Sequence, residues 1–450
     1  MKKVAFHNLG CKVNSYELDG ILQMFQNRGY EIVDFAQKAD VYVINTCTVT
    51  NTADQKSRQM ISRARANNPE AVVVAAGCYV QSDPDAAVAN AAVDIAVGNN
   101  HKSEIVDIVE EYINACRSGT PCDKTLGGRT VSDLGGKCRY EDFTITAFAG
   151  HTRAFMKIQD GCNQFCSYCA IPYVRGRTRS RSIADISEEA KRLAGSGYKE
   201  IVLTGIHLSS YGLDGAYNSY ADKGRTNTAL IDAVAACDVP GIERIRLGSL
   251  EPRLVTAEFM EELSKCGKVC PHFHLSLQSG SDTVLARMRR NYTTAEYEEK
   301  TALIRSFFPH PAITTDVIVG FPQESEKEFN ETRQFLEKTD LYECHVFKYS
   351  RRKGTAADRM SGQISSAVKA ERSGILINDS NRRKRAFAEY YIGRSVEVLT
   401  EDTEVIRGRT YTVGYTPEYV RVAIPETPPG QIMQILCFDK GCDTIIGEYC

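Results

Sequence analysis

The chain has 450 residues, a formal net charge of -2 and 25% charged residues. That length holds two or three domains with sizeable cores, and that balance excludes a basic nucleic-acid coat, so any basic surface must be local. Sixteen cysteines, with no signal-peptide pattern in MKKVAFHNLGCK and no apolar run of about 18 residues, point to a reducing, cytoplasmic compartment with thiols or metal ligands, and to no membrane partner.

Residues 3–9 (KVAFHNL) predict a short strand and 14–28 a helix. DVYVINT (40–46) is an apolar, β-branched run of the kind buried on both faces. Thr50 or Thr52 caps the helix that follows, to about Arg65. AVVVAAG (71–77) and VDIAVGN (93–99) predict two more strands, and 101–115 a closing helix. Strands alternating with helices imply a parallel sheet covered on both faces. Cys11, Cys47 and Cys78 each follow one of these strands, in the contexts GCK, NTCT and GCY. Strand C-termini share one edge of such a sheet, where ligands bind, so the three converge. They read either as buried structural cysteines or as a metal site, and the glycine and polar contexts favour the metal site.

Residues 116–145 are expected to form a linker with a possible hairpin. Cys116, Cys122 and Cys138 show no ligand spacing there. HTRAFMKIQDGC then predicts a strand running into DGCNQFCSYC (160–169), which sets Cys162, Cys166 and Cys169 on one tight loop. A structural zinc site wants four ligands and a disulfide two. Three thiolates suit a cubane iron–sulfur cluster whose fourth iron stays open. Beyond the loop, Ser182 with Asp185 resembles a capping box, and Ile186, Ala190 and Leu193 fall on one helix face. Strands are expected at 200–205, 242–249, 272–281, 312–322 and 343–350. With the strand before the loop they make six β/α repeats, a partial barrel with its loops at the C-terminal edge.

The CxxxCxxC loop with Tyr168 resembles the signature of the radical S-adenosylmethionine (SAM) superfamily. The resemblance implies that the open iron chelates SAM and that Tyr168 lies near its adenine. LTGIH (203–207) takes the place of a glycine-rich motif that meets the SAM amino group, giving Thr204 and Gly205 that role, although the usual GGE form is absent. SLEP (249–252) and HLSLQSGS (274–281) place Glu251, Ser276 and Gln278 at strand ends facing the same pocket. The N-terminal cysteine unit, the barrel and a small C-terminal β-domain together resemble the methylthiotransferases. That implies a second 4Fe–4S cluster on Cys11, Cys47 and Cys78, and transfer of a methylthio group to carbon 2 of an adenosine in tRNA. An external low-potential electron donor and a sulfur source are implied with it. LGCKVNSYE (9–17) resembles the branch acting on N6-threonylcarbamoyladenosine, with Lys12 and Val13 setting it apart from the isopentenyladenosine and ribosomal-protein branches. GFPQES (320–325) departs from the family's GFPGE at Gln323, which is expected to shift a turn without touching the chemistry.

Residues 371–391 predict a basic helix, and from Arg394 a period-two pattern predicts a small β-barrel. It resembles the TRAM domain, an RNA-binding module. Tyr411, Tyr415 and Tyr419 read either as base-stacking or as barrel residues. VRGRTRSR (174–181) alternates arginines, which reads as a solvated strand face or as a rail for substrate phosphates, with Arg175 and Arg177 nearest the cysteine loop. SRRKG (350–354) is a second such stripe. His207, His272 and His274 read as packing or hydrogen-bonding residues, and Asp316, at a strand end, as a substrate contact. The expected fold is thus an α/β domain (1–115), a linker (116–145), a partial (β/α)6 barrel (146–375) and a connecting helix with a β-barrel (376–450). The rival readings are the same chemistry on another substrate, a radical SAM enzyme of different outcome, and a non-catalytic metal-containing RNA-binding protein.

Overall fold

The structure, a computed structural model, describes residues 2–119, 123–126, 128–136, 138–145, 152–214, 229–440 and 444–449. Strands β1 (Lys3–Asn8), β2 (Glu31–Val33), β3 (Val41–Thr46), β4 (Val72–Gly77) and β5 (Ile95–Val97) form one parallel sheet in the order β2-β1-β3-β4-β5. The central strand β3 is buried at every position, as its unbroken VYVINT run requires. Each such valine or isoleucine contributes about 1.5–3 kcal/mol by leaving water. Helices α1 (Lys12–Asn27), α2 (Asn51–Asn67), α3 (Cys78–Ser82), α4 (Pro84–Ala89) and α5 (Ile105–Arg117) connect the strands. Ile61 and Ala64 of α2 pack with Tyr42, Ile44, Val73 and Ala75 of the sheet. Of the two candidate caps, Thr50 is the one used: its side chain accepts from Ala53 N–H at 3.1 Å. Strand β2 was not expected, since three residues carry no readable period.

Strand β6 (Ala154–Asp160) leads into the cysteine loop, followed by α6 (Ile171–Val174) and β7 (Arg179–Ser180), which pairs antiparallel with Gln159 and Asp160. The chain continues through α7 (Ile183–Gly195), β8 (Glu200–Gly205), α8 (Ala229–Ala236), β9 (Arg244–Leu247), α9 (Ala257–Ser264), β10 (His272–His274), α10 (Asp282–Arg287), α11 (Thr294–Phe307), β11 (Ala312–Val319), α12 (Glu326–Lys338) and β12 (Glu343–Lys348). Strand β6 lies beside β8, and β8 pairs parallel with β9. Parallel bridges Ile245–Val269 and Leu250–Leu275 carry the order on to β10, which continues in parallel through β11 to β12. Six strands in sequence order make the partial barrel. Helix α13 (Ser366–Glu389) then precedes β13 (Ser395–Ile406), β14 (Arg409–Tyr415), β15 (Arg421–Ile424), β16 (Ile432–Lys440) and β17 (Ile445–Tyr449), which close into a barrel in the order β13-β14-β15-β17-β16. Closure leaves no free edge, and Val398, Val422, Ile424, Ile435 and Cys437 fill the interior.

Two expectations need correction. The segment 116–145 forms no hairpin among its described residues. It runs along the outer edge of β5 instead: the carbonyls of Lys124 and Thr130 accept from Ala96 and Gly98 at 2.8 and 2.7 Å, and Leu134, Phe143 and Ile145 are buried. It protects a sheet edge, which polar composition could not reveal. Cys116 is exposed and Cys138 half-buried; Cys122 lies outside the described residues. In the run 272–281 only the first three residues form a strand; Leu275 and Gln278 make isolated parallel bridges, and Gln278 is left-handed at φ 72°. The chain divides into two compact units in a way that sequence order does not suggest. One is Met1–Ala147 with Gln159–Arg181 and Ser350–Asp358, and the other is Phe148–Ile158 with Ser182–Tyr349 and Arg359–Cys450. No helix among the described residues is long and apolar enough to cross a membrane.

Candidate functional site

The first unit holds all six candidate cysteines. Cys11 stands at the N-cap position of α1, Cys47 follows β3, and Cys78 opens α3 directly after β4. Adjacent parallel strands end on one edge, so these three gather there. A methyl group on Gly10, which sits at φ 121°, would come within 3.2 Å of the Cys47 sulfur. Burial pushes the Cys47 thiol up to about 11, the Val49 N–H draws it back, and the sulfurs of Cys78 and Cys11 push it further up. Cys11 is exposed as a residue, yet the protein around its sulfur also raises its thiol, with the Arg175 charge opposing. The three sulfurs therefore lie within electrostatic reach of one another and of one arginine.

The second triad is shaped by its own loop. Cys162 N–H donates to Gly176 O and Cys169 N–H to Cys166 O, each at 3.0 Å. Gln164 N–H points at the Cys162 sulfur at 3.4 Å. Gly161, at φ 70°, admits no side chain, because a Cβ there would stand 2.0 Å from the Arg177 carbonyl oxygen. Cys162 and Cys166 are buried, and Cys169 and Tyr168 half-buried.

Buried charge lies beside both triads. Arg175, 1% exposed, donates to Glu17 Oε1 at 2.8 Å, to Asp160 Oδ1 at 3.1 Å and to Asn14 Oδ1 at 2.5 Å. Lys102, fully buried, donates to the other Glu17 oxygen at 2.5 Å, and Arg179 reaches Asp160 at 3.3 Å. Asn99 donates to the Val174 carbonyl and reaches the Cys78 sulfur. Ser350–Asp358 adds two more ties. Arg352 donates to Thr48 O at 2.8 Å and Asp54 at 2.7 Å, just past Cys47, and Ala357 N–H donates to Ser167 O at 2.8 Å in the cysteine loop.

Three of the four alternating arginines thus fit neither of the two readings. Arg175, Arg179 and Arg181 are buried in ion pairs, Arg181 with Asp142 at 2.7 Å. Only Arg177 is exposed, and it lies over the Phe165 ring at 4.6 Å. Arg352 of the SRRKG stripe is likewise structural. Charged residues in a polar context look exposed in sequence, and their carboxylate partners, Glu17 and Asp160, are too remote in the chain to be read as partners. Asn14 and Glu17 did carry a signal: they stand three apart on α1, on one face, just after Cys11.

These residues fit iron–sulfur clusters. Among the described residues no three candidate ligands close around a single metal ion, and a cubane binds each thiolate to a different iron, so its ligands stand further apart. Three cations, Lys102, Arg175 and Arg179, face two carboxylates, Glu17 and Asp160. Among the described residues, Arg175 Nε and Arg179 Nε and Nη1 are buried without a hydrogen-bond partner. The excess positive charge suits an anionic, thiolate-held group.

The second unit sets its candidates at the C-terminal edge of its parallel strands. Thr204 and Gly205 end β8. Glu251 follows β9; its N–H donates to Ser209 Oγ at 2.8 Å, and its carboxylate lies 3.3 Å from His207 and 3.6 Å from Arg290. Burial alone would raise the Glu251 pKa, but His207 and Arg290 more than offset it and hold it below the usual value. Ser276 N–H donates to Leu250 O, and Gln278 N–H to Asp316 O at 2.8 Å. A left-handed glutamine costs about 1–2 kcal/mol, strain that tends to sit at functional sites. Asp316 lies inside β11, not at its end, 3.4 Å from His274, whose ring stacks on His345. Tyr415 and Tyr419 stack on each other at 4.5 Å, with Arg153 over both rings and Arg246 over Tyr419. Both rings are half-buried and already carry arginine partners.

The uncharacterized family UPF0004 matches residues 3–98, and the radical SAM superfamily matches residues 156–336. The threonylcarbamoyladenosine tRNA methylthiotransferase MtaB of Bacillus subtilis is 40% identical over 100% of this chain and 96% of its own. The tRNA-2-methylthio-N(6)-dimethylallyladenosine synthase of Pelotomaculum thermopropionicum is 33% identical over 92% of this chain and 90% of its own. Among solved structures, the radical SAM methyltransferase TsrM of Kitasatospora setae, with cobalamin and a [4Fe-4S] cluster bound, aligns at a TM-score of 0.56 with 17% identity, covering 79% of this chain and 77% of its own. At that identity the likeness speaks for the fold alone.

Proposed function

The chain belongs to the methylthiotransferase family of radical SAM enzymes, and from that premise we propose that it converts N6-threonylcarbamoyladenosine beside the anticodon of tRNA to its 2-methylthio derivative. The observation that supports the substrate is the full-length match at the top of the range, since relatives of both names overlap between 31 and 34% identity. A relative named for threonylcarbamoyladenosine reaches 40% over the whole chain, and one named for dimethylallyladenosine reaches 33%.

The cofactors are SAM and two 4Fe–4S clusters. In our reading Cys162, Cys166 and Cys169 hold one cluster, and Cys11, Cys47 and Cys78 the other. When bound, these groups supply the reductive cleavage of SAM and the sulfur transfer that an unactivated adenine carbon demands. The family resemblance assigns SAM contacts to Tyr168 in the first unit and, separately, to Thr204, Gly205, Glu251, Ser276 and Gln278 in the second. Glu251, held ionised by His207 and Arg290, presents a fixed acceptor. Asp316 with His274 contacts the substrate. A base in the anticodon loop is single-stranded, so it enters a pocket without opening a helix. The C-terminal barrel is a TRAM-like module that grips the RNA, and exposed Arg177 contacts a phosphate. The reductant and sulfur source come from outside the chain, and the compartment is the cytoplasm.

The test is direct. Reconstituted protein with SAM, a reductant and sulfide is offered two tRNAs, one carrying each modified adenosine. The methylthio product on threonylcarbamoyladenosine alone supports the assignment; product on the isopentenyl nucleoside alone overturns it.

A further inference from the structure

Arg175 is the side chain on which the supports of both cysteine triads meet. On one side its guanidinium donates to Glu17 and Asn14 of α1, the helix that begins beside Cys11. Asn14 in turn donates from its side-chain amide to Thr46 O at 3.0 Å, the residue before Cys47, and to Leu9 O at 2.7 Å. On the other side Arg175 holds Asp160, two residues before Cys162, and its neighbour Gly176 accepts from Cys162 N–H. It therefore ties both ends of the cysteine loop to the helix and strand that carry Cys11 and Cys47. Burial works against its charge, and Glu17, then Cys78 and Asp160, more than offset that and hold its pKa above the ordinary value. Its buried Nε has no hydrogen-bond partner among the described residues.

We propose that Arg175 is a positioning residue that couples the two clusters, fixing the cysteine loop against the N-terminal sheet and lending the N-terminal triad a buried positive charge that stabilises the reduced state of its cluster. The inference rests on the reading that Cys11, Cys47 and Cys78 hold a cluster. A guanidinium suits the task because its planar fork reaches several acceptors at once, whereas an ammonium supplies the charge with less geometry. Buried charge and hydrogen bonding near the sulfurs are established controls of cluster potential. Glu17 works in the opposite sense, since it neutralises part of the same charge.

The experiment is a spectroscopically monitored redox titration of the full, reconstituted protein. R175Q, R175K and E17Q are compared with wild type, and iron content is measured for each. The midpoint potential of the N-terminal cluster is expected to fall in R175Q, to return towards wild type in R175K and to rise in E17Q. A purely structural role moves R175Q and E17Q the same way and gives no rescue by lysine, which overturns the proposal, as does an unmoved potential in R175Q. If R175Q does not load iron, R175K and E17Q decide the sign alone: a rise in E17Q with R175K near wild type supports the coupling, and any other pattern refutes it. A wild-type protein holding a single cluster would instead overturn the assignment of the N-terminal triad, and that outcome is read from iron content before any variant is made.

Discussion

The side-chain amide of Asn99 donates to the Val174 carbonyl at 2.7 Å and reaches the Cys78 sulfur at 3.5 Å. Asn99, two residues past β5, thus touches a cysteine of the N-terminal triad and the helix that follows the other cysteine loop. Asn99→Ala leaves the Val174 carbonyl without this donor inside the protein, which costs about 1–3 kcal/mol. The expected result is a lower urea midpoint in the metal-free protein and an altered spectrum for the N-terminal cluster. An unchanged midpoint would mean that the contact carries no stability.

Cys47 separates the roles of the two triads. Its alanine variant is expected to keep the iron held by the cysteine loop and to go on cleaving SAM under reduction. It is expected to form no methylthio nucleoside. Chromatography of 5′-deoxyadenosine and of the nucleoside product from one reaction checks both. Product formation by Cys47→Ala would reduce Cys47 to a structural cysteine.

Much of this fold is written locally. The β3 run, the Thr50 cap and the period-two pattern after Arg394 each depend on neighbours in sequence, and each forms the expected element. What sequence hides is partnership across distance. Arg175 reads as a surface cation until Glu17 and Asp160 are seen around it. The segment 116–145 reads as a spacer until its carbonyls are found on the β5 edge. The cysteines were legible because loop spacing and strand-end position are one-dimensional signals. Asn99, Lys102 and Arg352 were not, because nothing near them in sequence announces a thiol or a carboxylate.

Gln323 occupies a left-handed backbone position, φ 65°, where its N–H donates to Gly362 O at 2.8 Å. Glutamine there bears strain that glycine would not. Gln323→Gly is expected to raise stability by up to about 1 kcal/mol with activity unchanged. Gln323→Val, β-branched at positive φ, is expected to lower it. Melting temperatures of the two variants test the order, and the reverse order contradicts it.

Glu328 gives a pH dependence with a definite sign. Burial alone would raise its pKa, but donors from Arg287, Thr283 and Ser325 hold it down at about 2. An unfolded glutamate titrates near about 4.3. Its ionised form is thus favoured in the folded state, and the stability it contributes is fully present above that value. It is lost as pH falls from about 4.3 towards 2. Solvent access limits the amount to about 1 kcal/mol. Urea denaturation at pH 6 and pH 3, roughly above and below the unfolded value, is expected to show a smaller acid loss in Glu328→Gln than in wild type. Equal losses would show that the carboxylate is not responsible.

The substrate is the central claim, and nucleoside mass spectrometry of tRNA from cells with and without the gene tests it most directly. Deletion is expected to remove 2-methylthio-N6-threonylcarbamoyladenosine while N6-threonylcarbamoyladenosine accumulates, and to leave the methylthio form of the isopentenyl nucleoside untouched. Loss of the isopentenyl form with the threonylcarbamoyl form intact would contradict it.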